Sequence, residues 1–383
     1  MIYKRHAAMT ATIACAMLLL VACGSETSST DAAGTTTEVP AEVSTPPASE
    51  EPGAGATFSV DSWAGLPMDS ERTKAEYEML AKASKAWNLC VSVPHVKDPY
   101  WLGLNYGVTE QAKAAGVNLN FVEAGGYENI DKQIQQIEDC STNADAVIIG
   151  AISFDGLNTT VDKLAAEGKP VIDVINGMSS EKVTAKSLVS FGEMAAVTAD
   201  WLIKDSAGEP VKVAWFPGPK GAGWSEDGNK QFLEKIAGTN VELVDTKWGD
   251  TGKDVQSQLI EDALSANPEV DYLIGTAVTA EAAGPILRDK GLDKKVRVAG
   301  YYFTPGTLEG LLRGTVLAAP SDSTVLQGRI AVDQAIRALQ GDPLMIHVGP
   351  ELVIVTADTL SSFDTSSTLA PDGFKPVFKV ETG

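Results

Sequence analysis

The chain has 383 residues, more than a single core usually supports, so two domains are expected. A net charge of −21 at pH 7 and a pI near 4.5 argue against nucleic acid or an anionic membrane as a partner surface. The 44% hydrophobic and 21% charged residues are ordinary for a globular protein and leave room for a sizeable core.

The N-terminus reads as an export leader. MIYKRH (1–6) is basic, and ATIACAMLLLVA (11–22) is apolar but too short to span a bilayer comfortably. It ends in Leu20-Val21-Ala22-Cys23-Gly24, small residues before a cysteine. That pattern resembles a bacterial lipobox, with residues 1–22 removed and Cys23 carrying the lipid; the alternative is an ordinary signal peptide with an incidental cysteine. The lipobox reading places the protein in the periplasm or at the envelope exterior, touching the membrane only through its anchor. No later run of 18 apolar residues occurs. Residues 23–57, rich in Ser, Thr, Pro and Glu, read as a disordered tether. Residues 58–84 are expected to form an N-terminal extension with a helix.

Cys15 leaves with the leader, so Cys90 and Cys140 remain as a pair in an oxidising compartment. A disulfide between them is expected, with two buried thiols as the alternative. Only three histidines exist, and His6 lies in the leader. That is too few for a His-based triad or a His-rich metal site, and no carboxylate pair has a diagnostic acid/base arrangement. No catalytic residue, metal or cofactor is therefore assigned, and an enzyme is the least favoured class.

From residue 88 strand-like and helical patterns alternate. NLCVSVP (88–94) precedes a helix over 99–115. VNLNFVEA (117–124) precedes YENIDKQIQQIEDC, where Ile130, Ile134 and Ile137 mark one helical face. Strands come next at 146–152, 170–175 and 187–191. The rhythm restarts with strands at 211–217, 241–248, 271–278 and 296–303, separated by helices. IEDCSTNADAVIIGA (137–151) and IEDALSANPEVDYLIGTA (260–277) echo each other at the same place in the two halves. Then come a helix over 305–313, a strand over 315–322, a long helix over 324–341 and a last strand over 351–357. Strands apolar on both faces between helices predict an α/β protein with two similar doubly wound parallel-sheet lobes joined by several hinge crossings. Lobe I is placed at 85–191 plus 304–349, and lobe II at 192–303 plus 350–383.

Open parallel sheets bind ligands beyond their strand carboxyl ends. Aromatics are only 7% of the chain, yet they collect there. The first strand end gives Asp98, Tyr100 and Trp101, the second gives Tyr127, and the fifth gives Ser190, Phe191 and Glu193. The second half adds Trp215, Phe216, Trp224, Trp248, Asp250, Tyr301 and Tyr302. Trp215 lies inside a strand and reads as core. Asp98-Pro99 is also a good helix cap, and Tyr100 and Trp101 could be a packing staple. GPKGAG (218–223) lacks the GxxxxGK[ST] pattern of a phosphate loop. An aromatic cleft with few charges suits a small methylated or cationic ligand, through cation–π contact of about 0.5–2 kcal/mol per ring.

Three stretches carry a family resemblance: AEYEMLAKASKAWNLCVSVPHVKDPYWLGLNYGV (75–108), VNLNFVEAGGYENIDKQIQQIEDC (117–140) and LIGTAVTAEAA (273–283). They resemble the TorT family of type I periplasmic binding proteins, ribose-binding-like in fold, which sense trimethylamine N-oxide (TMAO) for a TorS-type sensor histidine kinase. The resemblance covers about 75–383. It implies a ligand site at Asp98, Tyr100, Trp101, Tyr127, Phe191 and Tyr302, a TMAO-like ligand, and a kinase partner. The chain departs from the family at Ser190-Phe191, where a Trp is usual. Sugar binders of the class carry an Asp-Arg pair and a later Asp where this chain has Asp173-Val-Ile-Asn176 and Gly300-Tyr301-Tyr302. The lipobox and tether are also what the substrate-binding component of an ABC importer carries, so an ABC permease is the alternative partner.

Overall fold

The computed structural model describes residues 55–382. The expected leader, Cys23 and the expected tether up to residue 54 lie outside the described residues. The fold opens with β1 (Thr57–Trp63) and β2 (Arg72–Glu78), an antiparallel pair with Val60 opposite Ala75. This corrects the helix expected within 58–84. In β2, Arg72, Lys74, Glu76 and Glu78 are exposed or nearly so while Ala75 and Tyr77 turn inward, a period of two rather than 3.6.

The first lobe comes next: β3 (Asn88–Val93), α1 (Pro99–Ala115), β4 (Asn118–Glu123), α2 (Ile130–Ser141), β5 (Ala146–Ile149), α3 (Asn158–Ala166), β6 (Val171–Val174) and β7 (Ala185–Ser187). The second repeats the scheme: α4 (Phe191–Asp205), β8 (Val211–Gly218), α5 (Gly223–Ile236), β9 (Val241–Trp248), α6 (Lys253–Ala266), β10 (Tyr272–Gly275), α7 (Ala277–Asp289) and β11 (Arg297–Gly300). After α8 (Pro305–Arg313) and β12 (Ala318–Ser321) come α9 (Thr324–Gln340), β13 (His347–Pro350), β14 (Val353–Thr356) and β15 (Lys379–Val380).

The first sheet runs β15-β4-β3-β5-β6-β7-β13-β1-β2 and the second β11-β10-β8-β9. Each parallel core places its first strand between its second and third, so both lobes are doubly wound with the same order. The sequence echo is real in space: α2 leads into β5 as α6 leads into β10, the third strand of each lobe. The chain crosses between lobes at 188–190, 322–323 and 351–352, and once more between β14 and β15.

Two boundaries differ from expectation. Residues 305–321 sit with lobe II, because α8 packs on α7 and β12 lies beside β11. The tail beyond β14 returns to lobe I, where β15 pairs with β4 and the Asn105 side chain exchanges two hydrogen bonds with Val377 (2.9 and 2.8 Å). An open strand edge recruits a partner strand, and the irregular tail carries no periodicity that would announce it.

A close glycine contact fixes how α1 lies against α9 as it runs back from the cleft. Helices α1 and α9 pack against each other, and a Cβ on Gly107 would lie 2.1 Å from the Val325 carbonyl oxygen. A Cβ on Gly328 would lie 2.8 Å from the Leu104 carbonyl oxygen. Only glycine lets the two backbones touch there.

Cys90 on β3 and Cys140 at the end of α2 are bonded, with Cα atoms 5.9 Å apart. Removing both cysteines, or reducing the bond, is expected to lower the unfolding free energy by about 2–4 kcal/mol. Urea unfolding with and without reductant checks this; coincident midpoints would show that the bridge contributes nothing.

Candidate ligand site between the lobes

Asp98 starts the site. Its Oδ1 accepts from the Tyr100 N–H (3.0 Å), capping α1, and Pro99 occupies the first helical turn. Its Oδ2 accepts from the Tyr302 hydroxyl (2.7 Å), which arrives from the far lobe after β11. One carboxylate thus begins a helix in lobe I and holds a ring of lobe II. Capping and a place on the cleft wall are not alternatives for Asp98, since its two oxygens divide the roles.

Capping at this point brings Tyr100 and Trp101 into the helix's first turn, both almost fully buried. Trp101 lies against Gly150 at the end of β5, where a Cβ would sit 2.8 Å from two ring carbons. The Tyr100 hydroxyl donates to Asp322 (2.5 Å), which also accepts from Gln327 (2.6 Å). Phe191 opens α4 at the first hinge crossing, and Trp224 lies in the first turn of α5. Ring centroids separate Tyr100 from Tyr302 by 5.1 Å, Phe191 from Trp224 by 5.0 Å, Tyr100 from Phe191 by 6.0 Å and Tyr127 from Trp224 by 5.9 Å.

The structure brings all six residues expected from the sequence to one place. Asp98, Tyr100, Trp101, Tyr127, Phe191 and Tyr302 line a common space with Asn176, Trp224 and Thr251. The rings are in mutual contact, and the space is only about 10 Å³ as measured by a water-sized sphere's centre, room for about one water. This is a closed cleft; a larger guest must part the rings.

Three wall residues lie outside the expected six. Trp224 stands among the strand-end aromatics but outside the group of six. Thr251 gives no signal, since loop threonines are common. Asn176 fills a position where sugar binders place polar groups, yet its side chain serves the wall: Nδ2 donates to the Tyr127 hydroxyl (2.9 Å) and to Ala151 O (2.7 Å). It is aimed by a tight turn in which its N–H donates to Val174 O (2.8 Å) around Ile175 at φ 70°, a strained angle for a β-branched residue. Trp215 is core as expected, buried and stacked on Phe232 at 4.1 Å.

Residues 89–343 match the family described as periplasmic binding protein domain. The chain belongs to that family. Over 313 residues it is 35% identical to periplasmic protein TorT of Escherichia coli (strain K12), covering 81% of this chain and 90% of that protein. Among solved structures, an ABC transporter solute binding protein from Bradyrhizobium sp. BTAi1 with bound Bis-Tris is 50% identical. The match has a TM-score of 0.73 and covers 84% of this chain and 98% of that one. TorT in the complex of the TorS sensor domain with TorT in the presence of TMAO is 29% identical, with a TM-score of 0.70 over 76% of this chain and 99% of that one. The expected fold and the resemblance to TorT are both borne out.

In this periplasmic binding protein two further contacts tie the lobes, one beside the ring cluster and one on its edge. Lys97 pairs with Asp250 (2.5 Å), and His95 Nε2 lies 3.2 Å from the Thr251 hydroxyl. Burial pushes the His95 pKa down to about 4, so it is neutral at pH 7. Burial pushes Asp98 the other way, from 3.8 up to about 7, against the Tyr302 and Tyr100 hydrogen bonds that favour its charge. Burial also raises the hydroxyls of Tyr100, Tyr127 and Tyr302, so all three remain donors.

Tyr302→Phe keeps the ring and deletes the cross-lobe bond to Asp98. Above pH 7, where Asp98 is ionised, a hydrogen bond to a charged group is worth about 1.5–3 kcal/mol, so the ratio of closed to open protein should fall about tenfold to a hundredfold there. Interlobe distance measured by fluorescence energy transfer reports it; an unchanged distribution would show that this bond does not hold the lobes.

Proposed function

We propose that this protein closes on a small methylated amine or amine oxide, TMAO-like, and presents the closed state to a TorS-type sensor histidine kinase. We further propose that a lipid on Cys23 holds it at the membrane. The observation that carries the ligand reading is the wall itself: six of its nine residues are aromatic, one is a carboxylate, and none is Arg or Lys. Sugar recognition needs convergent, bidentate polar groups. Here Asp173 is committed to a buried pair with Lys186 (3.4 Å), away from the wall. Methyl groups on nitrogen carry positive charge to ring faces at about 0.5–2 kcal/mol per ring, and Asp98 supplies the counter-charge or, protonated, a donor to an oxide oxygen. The TorT complex solved in the presence of TMAO supports this chemistry.

Signalling fits a population shift, in which a ligand favouring the closed form moves the equilibrium toward it. The second reading is a substrate-binding component handing its ligand to an ABC permease, favoured because the relative that is 50% identical is an ABC transporter solute binding protein. Binding of a kinase sensor domain to the closed protein separates the two readings.

Calorimetric titration with TMAO, trimethylammonium, glycine betaine and a panel of sugars tests the ligand class. At about −1.5 kcal/mol per heavy atom, TMAO can reach about −7.5 kcal/mol, hence micromolar affinity. Trp101→Ala should weaken binding about tenfold or more; a variant that folds and binds as tightly as the parent, or a parent that binds only sugars, would overturn the cage.

The pH profile distinguishes the ligand's charge. A cation needs ionised Asp98, so its affinity should rise with pH through about 7 and level above it. An N-oxide accepting from protonated Asp98 should show the reverse, binding more tightly below about 7. Asp98→Asn should flatten either profile, and a slope that survives the substitution would assign the proton elsewhere.

A further inference from the structure

Beside the ring cluster lies a much larger cavity of about 900 Å³, within the range of small-molecule sites. It shares Asn176, Phe191 and Trp224 with the ring cluster, so the two spaces have a common wall. It is bounded by the β1–β2 turn, by the loops after β5 and β6, by the hinge crossing before α4 and by the start of α5. Both lobes therefore build it.

Its surface is unevenly engaged. Asp227 already accepts from the Ser190 hydroxyl (2.9 Å) and the Gly192 N–H (2.9 Å). Glu226 accepts from Gly221 N–H (2.9 Å), Asp155 from Ser179 (2.6 Å), and Lys186 donates to Met178 O (2.9 Å). Most of the wall left for a guest is apolar: Leu66, Met68, Phe154, Ile175, Leu188 and Val189. Phe154 is 43% exposed, one of the few large apolar side chains left open among the described residues. It leans across the lobe gap onto Gly223, where a Cβ would lie 2.9 Å from its ring.

We propose that the ligand is longer than TMAO: a methylated ammonium or amine-oxide head in the ring cluster, with an apolar tail passing Phe191 and Trp224 into this cavity. The inference rests on the cage reading and names the substrate class more closely. Neither space explains the whole alone. The ring cluster is nearly filled by its own side chains, and the cavity has no buried carboxylate ringed by aromatics to hold a head group. A tail gains affinity from each buried methylene, about 0.8 kcal/mol or fourfold, which a ligand confined to the rings cannot.

The test titrates the protein with tetramethylammonium, then with ethyl-, butyl- and hexyltrimethylammonium. Affinity should climb about threefold to fourfold per added methylene. In Phe154→Ala that increment should shrink to about twofold, whatever the loss of the contact with Gly223 does to tetramethylammonium affinity; the per-methylene increment is a readout that a general weakening of closure would not move. Tetramethylammonium binding with flat or falling affinity along the series would overturn the tail and leave the cage standing. An unchanged increment in Phe154→Ala would remove this cavity as the tail's place. Failure of every ammonium while TMAO binds would overturn the ammonium tail and leave the cage as an amine-oxide site; failure of TMAO as well would overturn the cage reading and the tail together.

Discussion

The hydrogen bond from Tyr302 to Asp98 is the constraint on which the site depends. Asp98 must lie at the start of α1 to cap it, and the cap fixes Tyr100 and Trp101 on the cleft side of the first turn. The same carboxylate accepts the Tyr302 hydroxyl, so lobe II can settle only where that oxygen waits. Its burial is costly. A carboxylate removed from water with two neutral donors for company lies uphill, and the pKa raised to about 7 expresses that cost. Positive charge brought beside it relieves the cost in the closed form and does little in an open, solvated one. That differential is what a ligand must supply to move a two-state equilibrium.

The other interlobe ties are weaker by comparison. Lys97 is 39% exposed, and an ion pair so open to solvent and salt contributes about 1 kcal/mol at most. His95 is neutral, so its contact with Thr251 is an ordinary hydrogen bond of about 1 kcal/mol. The buried bond to Asp98 exceeds either and joins two residues of the ring cluster directly. In the proposed site, closure and ligand contact would therefore be read by the same atoms. The hinge supports this with fixed geometry: Tyr100 rests on Asp322, and Ser323 beside it holds a left-handed φ of 54° at a lobe crossing.

Much of this is legible in the sequence because periodicity and strand-end position are local signals. The pattern predicts helices at 99–115 and 305–313, the ranges of α1 and α8. Strand-end position gathers the six expected wall residues within a longer set that also holds Trp224, and the resemblance to the TorT family picks those six out. The parts that escape are set by distant contacts. The β1–β2 hairpin reads as a helix because its charged face hides the alternation, and β1 makes sense only beside β13, nearly 300 residues on. The tail returns to lobe I because the edge of β4 is open, which no local pattern reveals. Asn176 escapes because its role depends on a strained turn at Ile175 that apolar letters do not advertise.

Three helix N-termini face the cleft: α1 with Tyr100 and Trp101, α4 with Phe191, and α5 with Trp224. Such a cluster of partial positive charge ordinarily makes an anion site. Here each terminus is already answered from within the chain. Asp98 accepts from α1, Asp227 accepts from the Gly192 N–H of α4, and Glu226 accepts from Gly221 just before α5. With their dipoles met by these carboxylates, the helix ends deliver rings and leave little demand for further negative charge. An anionic ligand would find Asp98 and no Lys or Arg on the wall. A group that is positive toward the ring faces and either cationic or dipolar toward Asp98 meets complementary potential throughout, which is the physical reason to place methylated nitrogen there.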